Sequence, residues 1–440
     1  MSRAIKTDCC VITLGCVKNQ VDSEIILSML RRNGFGLVNA PEEADIIIVN
    51  TCGFISPSAA ESLEMIDELI PLTEGGRKLY VVGCLVERYG TEITDSLPEI
   101  HGLFGIREQE KLLQACAEAV GKRLESESGC DRTRTEFTGP PASAYLRVAD
   151  GCDNRCAYCT IPLIRGSLIS RPLVEIRSEI DWLVDQGFRE LNIIAQDTTA
   201  YGMDLSMTNG INQILEYIAR QKERIWGRLL YTHPRHLSES TLDMLFAEKN
   251  LCDYVDMPIQ HISAGLLKKM NRGVTPERVH ELIDYSRAFS PPLCLRTTVI
   301  TGFPGETENE FEELLDFIKQ TRFDRLGVFG YCNEEGTPAF SMANPVPEEV
   351  IEERVRIIAE TQKQIHMDMN RQKTGLDTAV FIEAQGSTDT HGTGRTRHDA
   401  PDADSVVIIH GETPVEGEFA RVRITGYDDY DLIGEIIDRK

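Results

Sequence analysis

Three cysteines on one short loop constrain this chain more than any other feature. The run Gly151–Arg171, GCDNRCAYCTIPLIRGSLISR, places Cys152, Cys156 and Cys159 within eight residues. Such a loop is suited to a metal. An iron-sulfur cubane normally takes four cysteines, so a three-cysteine loop can hold one and leave an iron open to an exogenous ligand. Structural zinc needs four ligands, and no fourth Cys or His lies nearby in sequence. Packing alone is the remaining reading, since cysteine is often buried, but clustering as CxxxCxxC after an Ala-Asp-Gly turn argues against it.

Length and charge bound the rest. At 440 residues the chain has room for about two to four domains with buried cores. It carries 46 Lys or Arg against 70 Asp or Glu, a formal charge of -24. That balance opposes a general polyanion binder and favours a basic partner or simple solubility. Thirteen cysteines, an odd number, follow an opening MSRAIKTDCC that lacks an apolar signal core. No run approaches the length of a membrane span. The expectation is a reduced, cytoplasmic, air-sensitive protein whose cysteines bind metal rather than pair.

Residues 1–125 alternate strand and helix. Strand-like runs at 9–16, 44–53 and 78–84 each bring a cysteine beside a glycine, with helical patterns at 21–33 and 56–70 between them. Ser56 is placed to cap the second helix and Pro57 to open it. Alternation of this kind predicts a doubly wound parallel sheet whose strand ends open on one crevice. Cys16, Cys52 and Cys84 are therefore expected to converge there, and three ligands again suit a cluster with one open iron. Cys9, Cys10, Cys116, Cys130, Cys252, Cys294 and Cys332 lack the arrangement and are read as packing residues. The polar stretch 126–141 reads as a linker.

From 142 to 371 the pattern is again strand then helix. Strands are expected at 145–149, 190–196, 228–232, 253–259, 293–300 and 326–331, with helices at 173–186, 239–246, 276–288 and 308–320. Six such units predict a partial parallel barrel with function at the carboxyl ends of its strands. The cysteine loop, Gln196-Asp197, His233-Pro234, Gln260-His261 and the turn TGFPGET at 301–307 all fall there. For His233 and His261, capping or packing weighs equally with catalysis. Arg165 and Arg171 are candidates for a cofactor carboxylate, with surface ion pairing the equal alternative. A helix near 347–371 carries an apolar stripe that reads as core packing. Residues 372–440 change to short strands at 378–384, 405–410, 419–425 and 432–437, a small antiparallel barrel. Residues 373–440 hold 7 Lys or Arg against 14 Asp or Glu, which disfavours direct RNA contact and suits docking of a basic protein.

CxxxCxxC with Tyr158 before the last cysteine resembles the radical S-adenosylmethionine (radical SAM) superfamily. The resemblance implies that the open iron chelates S-adenosylmethionine and that the reduced cluster cleaves it to a 5'-deoxyadenosyl radical, chemistry that side chains alone cannot do. It also implies Gly302 and Gly305 of the TGFPGET turn as cofactor contacts and Tyr158 beside the adenine. LGCVKNQVDSE (Leu14–Glu24), NTCGFI (Asn50–Ile55) and VVGCLVER (Val81–Arg88) look like the three cysteine motifs of methylthiotransferases. Cys16, Cys52 and Cys84 would then hold a second 4Fe-4S cluster in an N-terminal methylthiotransferase domain, ahead of a radical SAM core and a TRAM-like barrel. Val17 stands where many relatives have proline, a change expected to affect the turn more than the ligation.

GRTRHDAPDADSVV (Gly394–Val407), YCNEEGTPA (Tyr331–Ala339) and LGCVKNQVDSE resemble the RimO family of ribosomal-protein aspartate methylthiotransferases rather than the tRNA-adenosine (MiaB-like) family. That implies methylthiolation of the β-carbon of an aspartate in small-subunit ribosomal protein S-twelve. One S-adenosylmethionine would methylate a sulfur held at the N-terminal cluster, a second would supply the radical, and an unidentified electron donor would reduce the core cluster. The alternatives are tRNA-adenosine methylthiolation by the same chemistry and a non-catalytic iron-sulfur carrier or redox sensor.

Overall fold

The computed structural model describes residues 7–124, 133–387 and 390–438. The N-terminal domain comprises β1 (Asp8–Thr13), α1 (Val17–Arg32), β2 (Gly36–Leu37), β3 (Ile46–Thr51), α2 (Ser56–Leu69), β4 (Lys78–Gly83), α3 (Cys84–Ser96), β5 (Gly102–Phe104) and α4 (Gln109–Ala119). Its five strands are parallel in the order β2-β1-β3-β4-β5, the doubly wound sheet expected. β3 is buried along its whole length, as its unbroken run of isoleucines and valine requires of a strand covered on both faces.

Helix α1 begins at Val17, four residues before the expected start, because Cys16 rather than a later polar turn is its N-cap. At α2 the expectation fails in detail. Ile55 is the N-cap, Ser56 is the first helical residue, and its side chain makes no cap. The Ser56 N–H and hydroxyl instead donate to the Glu334 carboxylate at 2.6 and 3.2 Å, so the helix end is satisfied from another domain.

The expected linker is described only in its second half. There Arg134 is buried and joins Glu24 of α1 (2.7 Å) to Glu179 of the next domain (2.6 Å), so residues 133–141 form a strap rather than a loose connection.

The central domain holds β6 (Ser143–Arg147), β7 (Ala149–Asp150), α5 (Ile161–Ile164), β8 (Ile169–Ser170), α6 (Leu173–Asp185), β9 (Glu190–Ile194), α7 (Gly210–Ala219), β10 (Trp226–Leu229), α8 (Glu239–Ala247), β11 (Tyr254–Asp256), α9 (Ala264–Lys269), α10 (Pro276–Arg287), β12 (Cys294–Thr301), α11 (Glu308–Thr321), β13 (Arg325–Gly330) and α12 (Glu348–Lys373). β10, β9 and β6 form one parallel sheet, and β11, β12 and β13 another. A Gly227–Leu251 bridge and a Thr232 N–H to Asp256 carbonyl bond of 3.0 Å join them into the six-stranded partial barrel. Ala144, Leu146, Leu191 and Ile193 pack against the outer helices, and the alternate residues Tyr145, Ile194, Trp226 and Tyr254 join a second core with the N-terminal domain.

Strands β14 (Asp377–Ala384), β15 (Gly392–Thr396), β16 (Val407–His410), β17 (Phe419–Asp428) and β18 (Asp431–Asp438) close the C-terminal barrel in the order β14-β15-β16-β18-β17. The sequence pattern does not announce β15, whose GTGRT lacks apolar alternation. β16 and β18 pair in parallel, so the barrel is not purely antiparallel. The segment 395–404 leaves this barrel and seals the central one from below. Arg395 pairs with Glu190 at 2.6 Å, Tyr145 donates to Asp402 at 2.8 Å, and Tyr254 donates to Asp404 at 2.6 Å.

Candidate active site

The cysteine loop of the central domain is shaped by backbone contacts. Gly151 has φ +71°, and a Cβ there would lie 2.0 Å from the Ser167 carbonyl oxygen, so the turn closes only on glycine. Cys152 N–H donates to Gly166 O at 3.0 Å, Ala157 N–H to Met270 O at 2.8 Å and Ala339 N–H to Ala157 O at 2.9 Å. The backbone turn Cys159 N–H to Cys156 O (3.1 Å) and the Cys152 N–H bond to Gly166 O fold the three thiols onto one short loop. Burial pushes Cys152 up to about 11 and Cys159 up to about 12, so metal loading must displace protons. A cation stands ready to balance the resulting thiolates. Arg272 is buried, with Nη1 3.5 Å from Cys156 Sγ and Nη2 on the Pro258 carbonyl at 2.5 Å.

The N-terminal trio assembles at the carboxyl ends of its strands. Cys16 is the N-cap residue of α1, Cys84 opens α3, and Cys52 follows β3, so two of the three thiols sit at helix N-termini. Gly15, at φ +86°, lets the first loop lie on the second, since a Cβ there would be 2.7 Å from Cys52 Cβ. Burial pushes Cys84 up to about 12. One side chain that sequence reasoning missed ties all three motifs together. Asn19, fully buried, donates to Leu14 O (2.9 Å) and Thr51 O (3.0 Å), and its Oδ1 accepts from Cys84 Sγ (3.5 Å) and Arg165 Nη2 (2.9 Å). Only its place three residues after Cys16 offered a signal.

The two trios meet across the domain interface. Thr160, next to Cys159, donates its hydroxyl to the carbonyl of Phe54, two residues from Cys52, at 2.7 Å. Arg165, from the helix that follows the central cysteines, reaches 3.7 Å from Cys84 Sγ and pairs with Asp22 (2.9 Å) and Asp150 (3.1 Å). It therefore serves the N-terminal trio rather than a cofactor carboxylate. Arg171 is an ion-pair partner of Glu179 at 2.6 Å. Glu334, also missed, latches the rim. Besides Ser56 it binds Arg88 at 2.7 Å, both partners adjoining N-terminal cysteine motifs, and it accepts from the neighbouring Cys332 Sγ at 2.8 Å.

The barrel mouth supplies unsatisfied polar atoms. Gln196 Oε1, His233 Nε2 and Gln260 Oε1, beyond the ends of β9, β10 and β11, are buried without a partner among the described residues, as a polar ligand would require. His233 Nδ1 accepts from Arg235 N–H, which leaves the ring proton on Nε2, and burial draws its pKa down to about 3. Burial alone would raise the Asp197 pKa, but His236 at 2.8 Å and neighbouring donors hold it low. His261 is a packing residue, fully buried between the Ser263 N–H and Glu306. Gly302 and Gly305 have φ +84° and +77°, and the space a Cβ would fill at Gly302 is taken by Ile351 of α12. Glu306 braces this turn by accepting from Gly302 N–H at 2.5 Å and Arg354 at 2.7 Å. Tyr158 packs beside Phe303, Leu266 and Met270.

Uncharacterized protein family UPF0004 matches residues 8–105, the radical SAM superfamily residues 146–318 and the TRAM domain residues 375–437. The ribosomal protein uS12 methylthiotransferase RimO of Carboxydothermus hydrogenoformans is 40% identical over 437 residues, covering 97% of this chain and 99% of that protein. RimO of Chlorobaculum tepidum is 40% identical over 430 residues, covering 97% of each. Among solved structures, the radical S-adenosylmethionine methyltransferase TsrM of Kitasatospora setae, with tryptophan and a SAM analogue bound, superposes with TM-score 0.58 at 15% identity, over 86% of this chain and 78% of that one.

Proposed function

Because this chain belongs to the RimO family of ribosomal protein uS12 methylthiotransferases, we infer that it methylthiolates the β-carbon of an aspartate of that protein through a single chamber between its two cysteine trios. It is a radical SAM enzyme whose cofactors are S-adenosylmethionine and 4Fe-4S clusters. Cys152, Cys156 and Cys159 would hold one cluster, and Cys16, Cys52 and Cys84 the other. When bound, these groups supply hydrogen abstraction from carbon and the methylthio sulfur.

The protein's own part is placement, charge balance and exclusion of water. Arg272 and Arg165 offset thiolate charge at one trio each. The orphaned atoms of Gln196, His233 and Gln260 suit the polar groups of S-adenosylmethionine. Glu334 and Arg88 seal the rim, which keeps a reactive carbon from solvent quenching. The observation that carries the reading is the Thr160 to Phe54 bond, which holds the two cysteine motifs against each other. Among the described residues no helix is long and apolar enough to cross a membrane, and we place the enzyme in the cytoplasm with its ribosomal substrate.

Charge favours the protein substrate over tRNA. Arg395, Arg397, Arg421 and Arg423 of the C-terminal barrel are all engaged in ion pairs, so its acidic excess is what a basic partner would meet. Anaerobic incubation of reconstituted, reduced enzyme with S-adenosylmethionine and either uS12 or tRNA tests this. A methylthio mass gain on a uS12 aspartate is expected, and a gain on tRNA alone would overturn it.

A further inference from the structure

Lys18 is a charge without a directly paired partner at the interface of the N-terminal and central domains. It occupies the second position of α1, is 7% exposed, and among the described residues has no hydrogen bond and no carboxylate within ion-pair distance. Its Nζ lies 2.9 Å from the centroid of the Tyr231 ring, across the domain interface at the end of β10. Tyr231 is itself held in an unusual conformation, at φ +57°, with its N–H bound to Asp256 Oδ2 at 2.8 Å. Non-glycine residues adopt that conformation at a cost, and such strain is found where geometry serves a site.

The other cations nearby are already answered. Arg147 and Arg165 share Asp22, Arg165 also binds Asp150, and Arg296 binds Asp256 and Asp404. Arg272 contacts the central trio, and Arg165 reaches the N-terminal one, so each trio has its own cation. A buried ammonium on an aromatic face, with Cys16, Asp150 and Asp256 acting on it only through space, still lacks a directly paired anion. The N-terminus of α1 adds positive potential at the same place.

We propose that Lys18, seated on Tyr231, binds the side-chain carboxylate of the target aspartate and so selects aspartate and presents its β-carbon to both cysteine trios. This rests on the function inferred above. A carboxylate there completes an ion pair, whereas an asparagine amide offers only a neutral acceptor.

The test compares uS12 with a version carrying asparagine at the modified position, using wild-type enzyme, K18M and K18R. Wild type should prefer aspartate by about ten- to a hundredfold in kcat/KM, mainly through KM, and should bind uS12 more tightly than the asparagine form when S-adenosylmethionine is absent. K18M should erase the preference in both turnover and binding, and K18R should restore most of it. Wild-type methylthiolation of uS12 without any preference for aspartate would overturn the role of Lys18 while leaving the inferred function intact. Absence of methylthiolation would instead overturn that function. A K18M enzyme that still discriminates, or one whose altered N-terminal cluster spectrum accompanies unchanged discrimination, would assign Lys18 to packing or to cluster charge balance. Should K18M not fold, the wild-type comparison and K18R decide the matter: a preference for aspartate in both supports the role of Lys18, and its absence in wild type overturns it.

Discussion

At the scale of single residues, the cysteines were legible and the side chains that seat them were not. Spacing and strand-end position marked Cys16, Cys52, Cys84, Cys152, Cys156 and Cys159, because thiols repeated at equivalent places stand out in sequence. Asn19 and Glu334 act through contacts that span 32 and 278 residues, and no local pattern encodes such pairs. Asn19→Ala removes one side chain that binds all three N-terminal motifs, and each buried group left unsatisfied costs about 1–3 kcal/mol. The expected outcome is loss of the iron assigned above to the N-terminal trio while that assigned to the central trio is kept. Iron analysis with EPR spectroscopy of the variant checks this, and full retention of both clusters would show that Asn19 is dispensable. Sequence could not choose between a cofactor carboxylate and an ion pair for Arg165, since its partners Asp22 and Asp150 come from different domains.

Among elements, strands and helices of the central domain were legible because apolar runs and amphipathic stretches alternate with regular length. What stayed hidden was the join between units. β15 has no apolar pattern, yet its Arg395 reaches Glu190 at the start of β9, and Arg228 of β10 shares the same carboxylate. Burial alone would raise the Glu190 pKa, but the two guanidiniums hold it down at about 2. A depressed carboxylate contributes stability that is complete above the ordinary glutamate range and is lost as pH falls through that range toward about 2. Docking of the C-terminal barrel should therefore weaken below about pH 4.5. Trp226 packs 4.8 Å from Phe419 across this join, so its fluorescence in a Trp182→Phe background reports the docking. Glu190→Gln should destabilise the join by about 3 kcal/mol or more and flatten the acid transition. An unchanged acid profile in the variant would place the pH dependence elsewhere.

For the whole molecule, sequence reasoning reached three units, because each unit declares its own periodicity. It could not reach the way the units close on one another, which depends on long-range pairs such as Thr160 with Phe54 and Arg134 with Glu24. If the two trios have separate duties, Cys156→Ala should abolish reductive cleavage of S-adenosylmethionine. Cys52→Ala should still form 5'-deoxyadenosine but insert no sulfur. Equal loss of both in a folded Cys52→Ala protein that keeps its central cluster would contradict that division. The most direct test is EPR relaxation of the anaerobically reconstituted, reduced enzyme, compared with Cys52→Ala. Two clusters opening on one chamber should shorten each other's relaxation, and removal of one should slow the signal of the other. Two clusters that relax independently, or iron for a single cluster only, would contradict the account.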